Sequence, residues 1–274
     1  MHYGEKEKVM MLGIEDKIKL SEQIIKDALS RFDHNKIAIS WTGGKDSTLM
    51  VWLFRNTCTQ LSIHLPRCMF IDEGDVFEEI RDHVGHLTEL WKLDLAVVKN
   101  KDVISKAQGL GNPIKVEDLN ERNRQEILAI GFEGREFPFD PESYVGNHLM
   151  KTVPMKMFIE ENRIEALATA IRWDEQAARK DEDYVSPRKN PDHNRIHPIL
   201  HFRERDVWQA IHKFQIPHCS LYNLGYRSLG AKHSTHKTSD IPAWEQDMEN
   251  APERSGRGQD KEMIMSKLRD LGYM

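Results

Sequence analysis

The chain has 274 residues, of which 39% are hydrophobic and 30% charged, and a formal net charge of −5. This length and composition indicate either one large globular domain or a domain plus appendages, and the acidic balance argues against a general nucleic-acid surface. No apolar run approaches the roughly 20 residues of a membrane span, and the N-terminus lacks a signal-peptide pattern. We therefore expect a cytoplasmic protein that binds no membrane.

The first predicted elements lead into a short polar loop. Apolar residues at helical spacing over about Ile14–Arg31 predict an amphipathic helix, so residues 1–35 are expected to form an N-terminal helical segment. The β-branched run Ile37–Ile39 predicts a buried strand, and the apolar run Thr48–Phe54 predicts a buried helix. The loop between them joins the end of a strand to the start of a helix.

This loop has the chemistry of a phosphate-binding site. Its two glycines permit a tight turn, and the outward-pointing first amides of the helix favour an anion. A lysine adds a cation, and three hydroxyl groups add donors. The loop fits neither GxxxxGK[ST] nor GxGxxG. We predict that the whole loop binds nucleotide, through Ser40, Trp41, Thr42, Gly43, Gly44, Lys45, Asp46 and Ser47.

Strands and helices alternate after the loop. The pattern predicts strand 67–71, helix 77–91, strand 93–98, helix 151–162, strand 164–171, helix 174–183, strand 196–200 and helix 206–214. Such alternation predicts an α/β fold with a mostly parallel, twisted sheet flanked by helices. We assign this nucleotide-binding domain to residues 36–215.

Two regions depart from the alternation. Glycine and proline punctuate residues 105–147, which we expect to be an irregular insertion with one helix at 119–130. This insertion is either a surface feature or a mobile loop over the substrate. Residues 216–274 are polar and glycine-rich, with a final predicted helix at 259–271. We expect this C-terminal extension to lie over the active site.

In open α/β sheets, ligands bind outside the carboxyl ends of the strands. Asp72 follows the second predicted strand and is either a helix cap or a contact to nucleotide or Mg²⁺; Asp46 is the other Mg²⁺ candidate. Arg172 follows a later strand, which favours phosphate or sulfate binding over a surface ion pair. The remaining candidates for anion binding are Arg179, Arg227, Arg254 and Arg257. We interpret the histidines mostly as surface or capping groups, since none has a metal-binding spacing.

These segments resemble the PAPS reductase family of the ATP pyrophosphatase superfamily, which has the adenine nucleotide alpha hydrolase-like fold. Within it, the chain is most similar to the small, ATP-binding subunit of bacterial sulfate adenylyltransferase, from about residue 17 onward. The Glu-Arg-x-Gly-Arg segment points most specifically to that subunit. The similarity lies in the loop and in Phe70–Gly74, Met150–Thr152, Arg172–Glu175, Pro198–Leu200, Asp206–Trp208, Tyr226–Gly230 and Glu253–Arg257.

The resemblance implies adenylyl transfer. The loop would hold the β- and γ-phosphates of ATP while sulfate attacks the α-phosphate and pyrophosphate leaves. Lys45 and Arg172 would be the catalytic residues, acting by position and electrostatic stabilisation. ATP and Mg²⁺ are the implied cofactors, a GTPase subunit is the implied partner, and a homo-oligomer is left open.

Three alternatives to adenylyl transfer onto sulfate stay open. The first is reduction of a sulfonucleotide by an external thiol. Related reductases bind an iron–sulfur cluster through cysteines at the positions of Gly146, Asn147, Ala231 and Ser234, and no cysteine follows Cys219. We therefore expect no iron–sulfur cluster. The second alternative is FAD synthesis from FMN and ATP, and the third is a non-catalytic nucleotide-binding subunit.

Overall fold

A central sheet organises residues 3–257, the part of the chain that the computed structural model describes. In chain order the strands are β1 Ile37–Ser40, β2 Arg67–Ile71, β3 Leu95–Val98, β4 Pro113–Lys115, β5 Glu136–Pro138, β6 Ala166–Ala168, β7 Val185–Arg188 and β8 His193–Ile196. The order in the main sheet is β3-β2-β1-β6-β8-β7, in which β7 alone runs antiparallel to its neighbour. The prediction of a mostly parallel sheet is confirmed.

Helices cover both faces of this sheet. In chain order they are α1 Tyr3–Met10, α2 Ile14–Arg31, α3 Lys45–Leu61, α4 Glu78–Trp91, α5 Lys101–Lys106, α6 Glu121–Ala129, α7 Tyr144–Asn147, α8 Val153–Asn162 and α9 Glu204–Lys213. Ile37 and Ile39 of β1 belong to the core formed with α2, α3, α4 and α9, whereas Ala38 packs with α8. Successive strand residues face opposite sides, so both faces of β1 are buried. Among the described residues, no helix is both long and apolar enough to cross a membrane.

Parallel pairing brings several strand ends to one edge of the sheet. Ile39 of β1 pairs with Cys68 of β2 and with Ala168 of β6, and Ala168 pairs in turn with Ile196 of β8. The residues that follow β2, β6 and β8 therefore lie along the same edge as the loop that follows β1.

Residues 164–200 differ most from the predicted elements. The strand predicted at 164–171 is shorter in the structure. Only Ala166–Ala168, β6, pair with neighbouring strands, and the chain leaves the sheet after them. The helix predicted at 174–183 is wrong: a single short turn, Ala177–Arg179, forms there. The strand predicted at 196–200 is also wrong, since β8 ends at Ile196. The unpredicted β7 contains Pro187, which an edge strand tolerates because its outer side needs no ladder hydrogen bonds.

The insertion predicted as irregular is an ordered subdomain. Residues 101–152 contain α5, α6, α7 and the ribbon of β4 and β5, and α6 confirms the helix predicted at 119–130. A π-helical turn, His148–Thr152, joins α7 to α8. The subdomain has its own hydrophobic core, which includes Val103, Ile114, Ile127, Phe137 and Leu149. The sequence does not reveal these elements, because each is too short for its hydrophobic pattern to repeat.

After α9 the described chain continues as short turns. We call residues 216–257 the C-terminal segment; the final helix predicted at 259–271 lies outside the described residues. The backbone N–H of Lys232 donates to the carbonyl oxygen of Asp75 at 2.9 Å, and His233 Nδ1 lies 2.6 Å from the Asp75 carboxylate. Since Asp75 follows β2, these contacts hold the segment against the edge where the strands end.

Candidate functional site

The loop of residues 40–47 turns from β1 into α3 and owes its shape to two glycines. Gly43 has a φ of +74°, and a Cβ there would lie 2.9 Å from side-chain methyl carbons of Ile80 and Val84 in α4. Glycine alone meets both conditions without strain. Gly44 is the N-cap of α3, so the first amides of that helix have no acceptor within it. The structure thus contains the strand–turn–helix loop that the sequence predicts.

The polar side chains of the loop brace this turn. The backbone N–H of Thr42 donates to Ser47 Oγ at 3.2 Å, and the Ser47 hydroxyl donates to the carbonyl oxygen of Gly44 at 3.0 Å. Trp41 is fully buried, and its indole N–H donates to Thr48 Oγ1 at 3.1 Å. The structure therefore places the Trp41 side chain in the core, where it anchors the loop from behind.

Four charged side chains, Lys45, Asp46, Arg172 and Glu253, meet at the start of α3; we call them the charge cluster. Lys45 Nζ lies 3.2 Å from the Asp46 carboxylate and also donates to Glu253 of the C-terminal segment. Arg172 donates to both Asp46 and Glu253 through its terminal nitrogens. The cluster therefore joins the loop, the end of β6 and the C-terminal segment.

The buried groups of this cluster stabilise one another's charged forms. Burial favours a neutral Lys45, but Asp46 and Glu253 outweigh it and hold the pKa of Lys45 above its ordinary value. The pKa of Arg172 is raised in the same way by Asp46, Glu253 and Asp174 against the effect of burial. Burial likewise opposes ionisation of Glu253, yet Arg172 and Lys45 hold the pKa of that carboxyl well below its ordinary value. The two cations therefore stay charged beside the loop.

Arg172 is held in place by Asp174 as well. Arg172 Nε donates to Asp174 Oδ1 at 2.9 Å, and Asp174 Oδ2 accepts from the backbone N–H of Glu204 at 2.9 Å, at the start of α9. The indole N–H of Trp173 donates to the carbonyl oxygen of Glu182 at 2.9 Å. These tertiary contacts explain why this stretch is not the predicted helix.

A cavity of about 240 Å³ opens between the loop and the C-terminal segment. Six loop residues line it: Ser40, Thr42, Gly44, Lys45, Asp46 and Ser47. The opposite walls come from the end of β6 and from the C-terminal segment. They are formed by Thr169, Ala170, Ile171, Glu175, Arg179, Tyr222, Ser228, Leu229, Glu253, Arg254 and Arg257.

Three of the predicted anion-binding arginines, Arg179, Arg254 and Arg257, line this cavity. Arg179 and Arg254 both donate to the carboxylate of Glu175, and Arg254 Nη1 lies 3.2 Å from it. Burial, together with the nearby charges of Arg254 and Arg172, lowers the pKa of Arg179 to about 9. The lining of the cavity contains four cationic side chains, Lys45, Arg179, Arg254 and Arg257, and three carboxylates, Asp46, Glu175 and Glu253, which is a formal excess of one positive charge.

Arg172 belongs to the charge cluster and is not among the residues that line the cavity. The fifth predicted anion-binding arginine, Arg227, does not line it either. It is 2% exposed and donates to both carboxylate oxygens of Glu204 at 2.7 to 3.1 Å. It also donates to the carbonyl oxygens of Asp247 and Ala251, each at 2.9 Å. The structure thus makes the Arg227 side chain an internal anchor of the C-terminal segment that does not line the cavity, while its carbonyl oxygen accepts from Lys45 Nζ at 3.3 Å.

The two predicted Mg²⁺ carboxylates are each bound to an arginine. Asp72 accepts from Arg81 through both oxygens at 3.0 Å and from the backbone N–H of Gly74 at 3.1 Å, and Asp46 accepts from Arg172. Within residues 3–257, no group of three or more histidine, cysteine or acidic side chains could hold a metal ion. These residues do not fit a protein-held metal ion, so we treat Mg²⁺ as a companion of the nucleotide phosphates.

The thiols lie in the core, away from the cavity. Burial raises the pKa of Cys58 and Cys219 to about 11, and burial raises that of Cys68 to about 12, so none is a ready nucleophile. The interpretation of the histidines was partly wrong, because His193, His197 and His201 are buried. His197 lies next to the cavity, since its Nδ1 is 2.8 Å from Oγ1 of Thr169.

Among the residues of the site that were not assigned from the sequence are Thr169, Tyr222 and Glu253. Glu253 belongs to the Glu-Arg-x-Gly-Arg segment, where only the arginines were considered for binding. Tyr222 hydroxyl accepts from the backbone N–H of Lys45 at 2.9 Å, and Thr169 lines the cavity directly after β6. The position of Thr169 at a strand end could have identified it, whereas no local pattern points to Tyr222 or Glu253.

Comparison with known proteins agrees with this geometry. A model of the phosphoadenosine phosphosulfate reductase domain matches residues 36–237, which include the loop, the main sheet and the first half of the C-terminal segment. The chain belongs to the PAPS reductase family. It is 30% identical over 200 residues to a phosphoadenosine 5'-phosphosulfate reductase of Xanthomonas campestris pv. campestris, covering 73% of this chain and 71% of that protein. The enzyme of the same name from Xylella fastidiosa strain M12 is 25% identical over 198 residues, or 72% of each chain.

Solved structures with the same fold include members with two kinds of activity. Yeast FAD synthetase in complex with FAD has a TM-score of 0.61 at 15% identity, over 92% of this chain and 95% of that one. Phosphoadenylyl-sulfate reductase of Candida auris has a TM-score of 0.57 at 17% identity, over 81% of this chain and 96% of that one. These structures show that the chain shares their fold, and the shared fold does not choose between reduction and adenylyl transfer.

Proposed function

We propose that this protein transfers the adenylyl group of ATP to an oxyanion, most simply sulfate, and releases pyrophosphate. The observation that carries the proposal is that the phosphate loop and Lys45 face an arginine-lined wall across one cavity, with the buried Arg172 paired to Asp46 and Glu253 beside it. Phosphate oxygens satisfy both the amides of a helix start and nearby cations.

In this proposal each part of the site stabilises a different charge. The amides at Gly44 and Lys45, with the hydroxyl of Ser47, hold the leaving pyrophosphate. Arg172 stabilises the charge that develops on the α-phosphate as the oxyanion attacks. Arg179, Arg254 and Arg257 bind the attacking oxyanion from the opposite wall. Catalysis is by position and electrostatics, so no side chain needs to form a covalent intermediate.

The buried thiols favour this reaction over reduction by the protein's own cysteine. The sequence has three cysteines, and the pKa of each is raised by burial. A thiolate, rather than a thiol, is the nucleophile in reductive attack on sulfur. Because the curated relatives are named reductases, reduction of a sulfonucleotide by an external protein thiol is our second candidate.

The test is pyrophosphate release from Mg-ATP with sulfate, with FMN and with no acceptor, each with and without a GTPase partner subunit. We expect sulfate-dependent release from the wild type, and a loss of about 10²-fold or more in Lys45→Ala, the range for removing one group that stabilises transition-state charge. Lys36→Ala is the matched control, since Lys36 precedes β1 at the opposite end of the strand and pairs with Glu165 at 2.8 Å.

The outcomes separate the candidate functions. Release with FMN but not sulfate would replace the proposal by FAD synthesis. No release with any acceptor, but sulfite formation from a sulfonucleotide and reduced thioredoxin, would establish the second candidate. Tight ATP binding without either reaction would leave a non-catalytic nucleotide-binding subunit as the remaining candidate function.

A further inference from the structure

A buried histidine outside the charge cluster reaches the wall of the cavity. Thr169 follows β6 and lines the cavity, and its Oγ1 lies 2.8 Å from Nδ1 of His197, which follows β8. Because β6 and β8 are parallel neighbours, their ends place these two side chains side by side. His197 is 1% exposed, so the imidazole holds the Thr169 hydroxyl from the protein interior.

The surroundings of His197 decide which of its ring nitrogens carries the proton. Nε2 lies 3.7 Å from the carboxylate of Glu182 and 3.4 Å from Oγ of Ser186, whose hydroxyl donates to the same carboxylate at 3.3 Å. Glu182 in turn accepts from Arg188 through both oxygens at 2.9 Å. Both groups that face Nε2 are therefore acceptors, which places the ring proton on Nε2.

The same environment keeps the imidazole neutral. Burial, with the positive charges of Arg195 and Arg188, lowers the pKa of His197 to about 3. A neutral ring protonated on Nε2 has a lone pair on Nδ1. In this tautomer the Thr169 hydroxyl donates a hydrogen bond to Nδ1 of His197, and its oxygen presents only lone pairs to the cavity.

A hydroxyl oxygen in this state selects ligand groups that carry a proton. It accepts from a hydroxyl or an amine, and it repels an unprotonated oxyanion oxygen. Ser40 and Thr42 of the phosphate loop line the same cavity. Of the hydrogen-bond donors on a nucleoside triphosphate, the ribose hydroxyls lie nearest the phosphates, and the amine of the base lies farther away.

We propose that Thr169 accepts a hydrogen bond from a ribose hydroxyl of the bound nucleotide, and that His197 is the positioning residue that keeps the Thr169 oxygen an acceptor. The inference rests on nucleotide binding, as in the proposed function, but not on any reaction. It assigns recognition of the sugar to a pair of side chains and predicts discrimination against deoxyribonucleotides.

The experiment compares dissociation constants for ATP, 2'-deoxy-ATP and 3'-deoxy-ATP. The wild type should prefer ATP to one deoxy analogue by about three- to tenfold, the effect of one neutral hydrogen bond. Thr169→Ser should keep this preference, and Thr169→Val should bring the ratio close to one. His197→Phe should reduce the ratio and His197→Asn should restore part of it, because the asparagine oxygen can replace Nδ1 as acceptor.

The ratio of the dissociation constants is informative, because a general loss of protein stability weakens the binding of all three nucleotides equally. Thr169→Val with the wild-type ratio, or a wild type that binds all three nucleotides alike, would overturn the inference. Sugar discrimination without pyrophosphate release would refute only the proposed function, whereas absence of ATP binding would overturn both.

Discussion

The phosphate loop and the C-terminal segment build one site by opposite means. The loop forms from eight consecutive residues, because a strand, two glycines and a helix start suffice to make an anion site. The C-terminal segment has only short turns in its described part, and it brings Glu253 to Lys45 across 208 positions of sequence. The loop thus carries its geometry in its own residues, whereas the segment depends on distant anchors.

The largest expected effect comes from removing an anchor of the segment. Arg227→Ala leaves the buried Glu204 without its two-oxygen partner, and breaking such a buried pair costs about 3–5 kcal/mol. Urea unfolding measures the loss, and limited proteolysis shows whether the C-terminal segment is released. Arg205→Ala is the control, because its pair with Glu249 is half exposed and is worth less than about 1 kcal/mol. Equal effects of the two substitutions would refute the anchoring role.

The next effect tests the loop by itself. Gly43→Ala forces a side chain into the left-handed region, at about 1–2 kcal/mol, and crowds Ile80 and Val84 of α4. We expect a total loss of about 2–3 kcal/mol in unfolding free energy and at least a tenfold loss in ATP affinity, given the helix-start geometry. Gly85→Ala in α4 is the control, because a Cβ added there has no atom within 4 Å and a helix interior favours alanine over glycine. Similar ATP affinity in both variants would contradict this account of the turn.

The contrast also explains how far the sequence could predict the protein. The loop, the parallel sheet and α6 follow from periodicity and local residue chemistry, so their prediction succeeded. Arg172 could be placed because the end of a parallel strand has a known location in the fold. Ion-pair partners far apart in sequence have no such signal, and Glu253 was therefore missed.

The failures near residues 174–200 have the same cause. Asp174 looks like a helix residue in sequence, but it binds the Arg172 guanidinium and the first turn of α9 instead. His197 was interpreted with the surface histidines, because burial depends on the pairing of β8 with its neighbours. Such residues are assigned by tertiary contacts, which override local propensity.

A smaller effect tests whether the segment competes with the ligand of the loop. Glu253→Gln removes the negative charge that Lys45 and Arg172 now share. Those cations should then attract phosphate more strongly, and we expect pyrophosphate affinity to rise about tenfold by titration calorimetry. Glu249→Gln, an exposed change in the same segment, is the control. Weaker binding in Glu253→Gln would show that this carboxylate helps the ligand.

The same variant makes a prediction about pH. The pKa of Glu253 is held down in the folded protein. The stability that its ion pairs contribute is therefore fully present above the ordinary carboxyl pKa of about 4.3, and it declines as pH falls from there towards the lower pKa of the folded state. Glu253→Gln should therefore lose less stability than the wild type between about pH 5 and 3. If the melting temperatures of the variant and the wild type fell equally over this pH range, the assignment would be contradicted.

The smallest effect concerns one hydrogen bond between the loop and the segment. Tyr222→Phe removes the acceptor of the Lys45 backbone N–H, at about 1 kcal/mol in the free protein. If that amide belongs to the phosphate site, saturating pyrophosphate supplies a new acceptor, and the difference in melting temperature between variant and wild type should close. Tyr226→Phe is the control, since its ring packs on Phe77. A difference that persists with pyrophosphate would show that the segment alone satisfies this amide, which would make it a structural part of the loop.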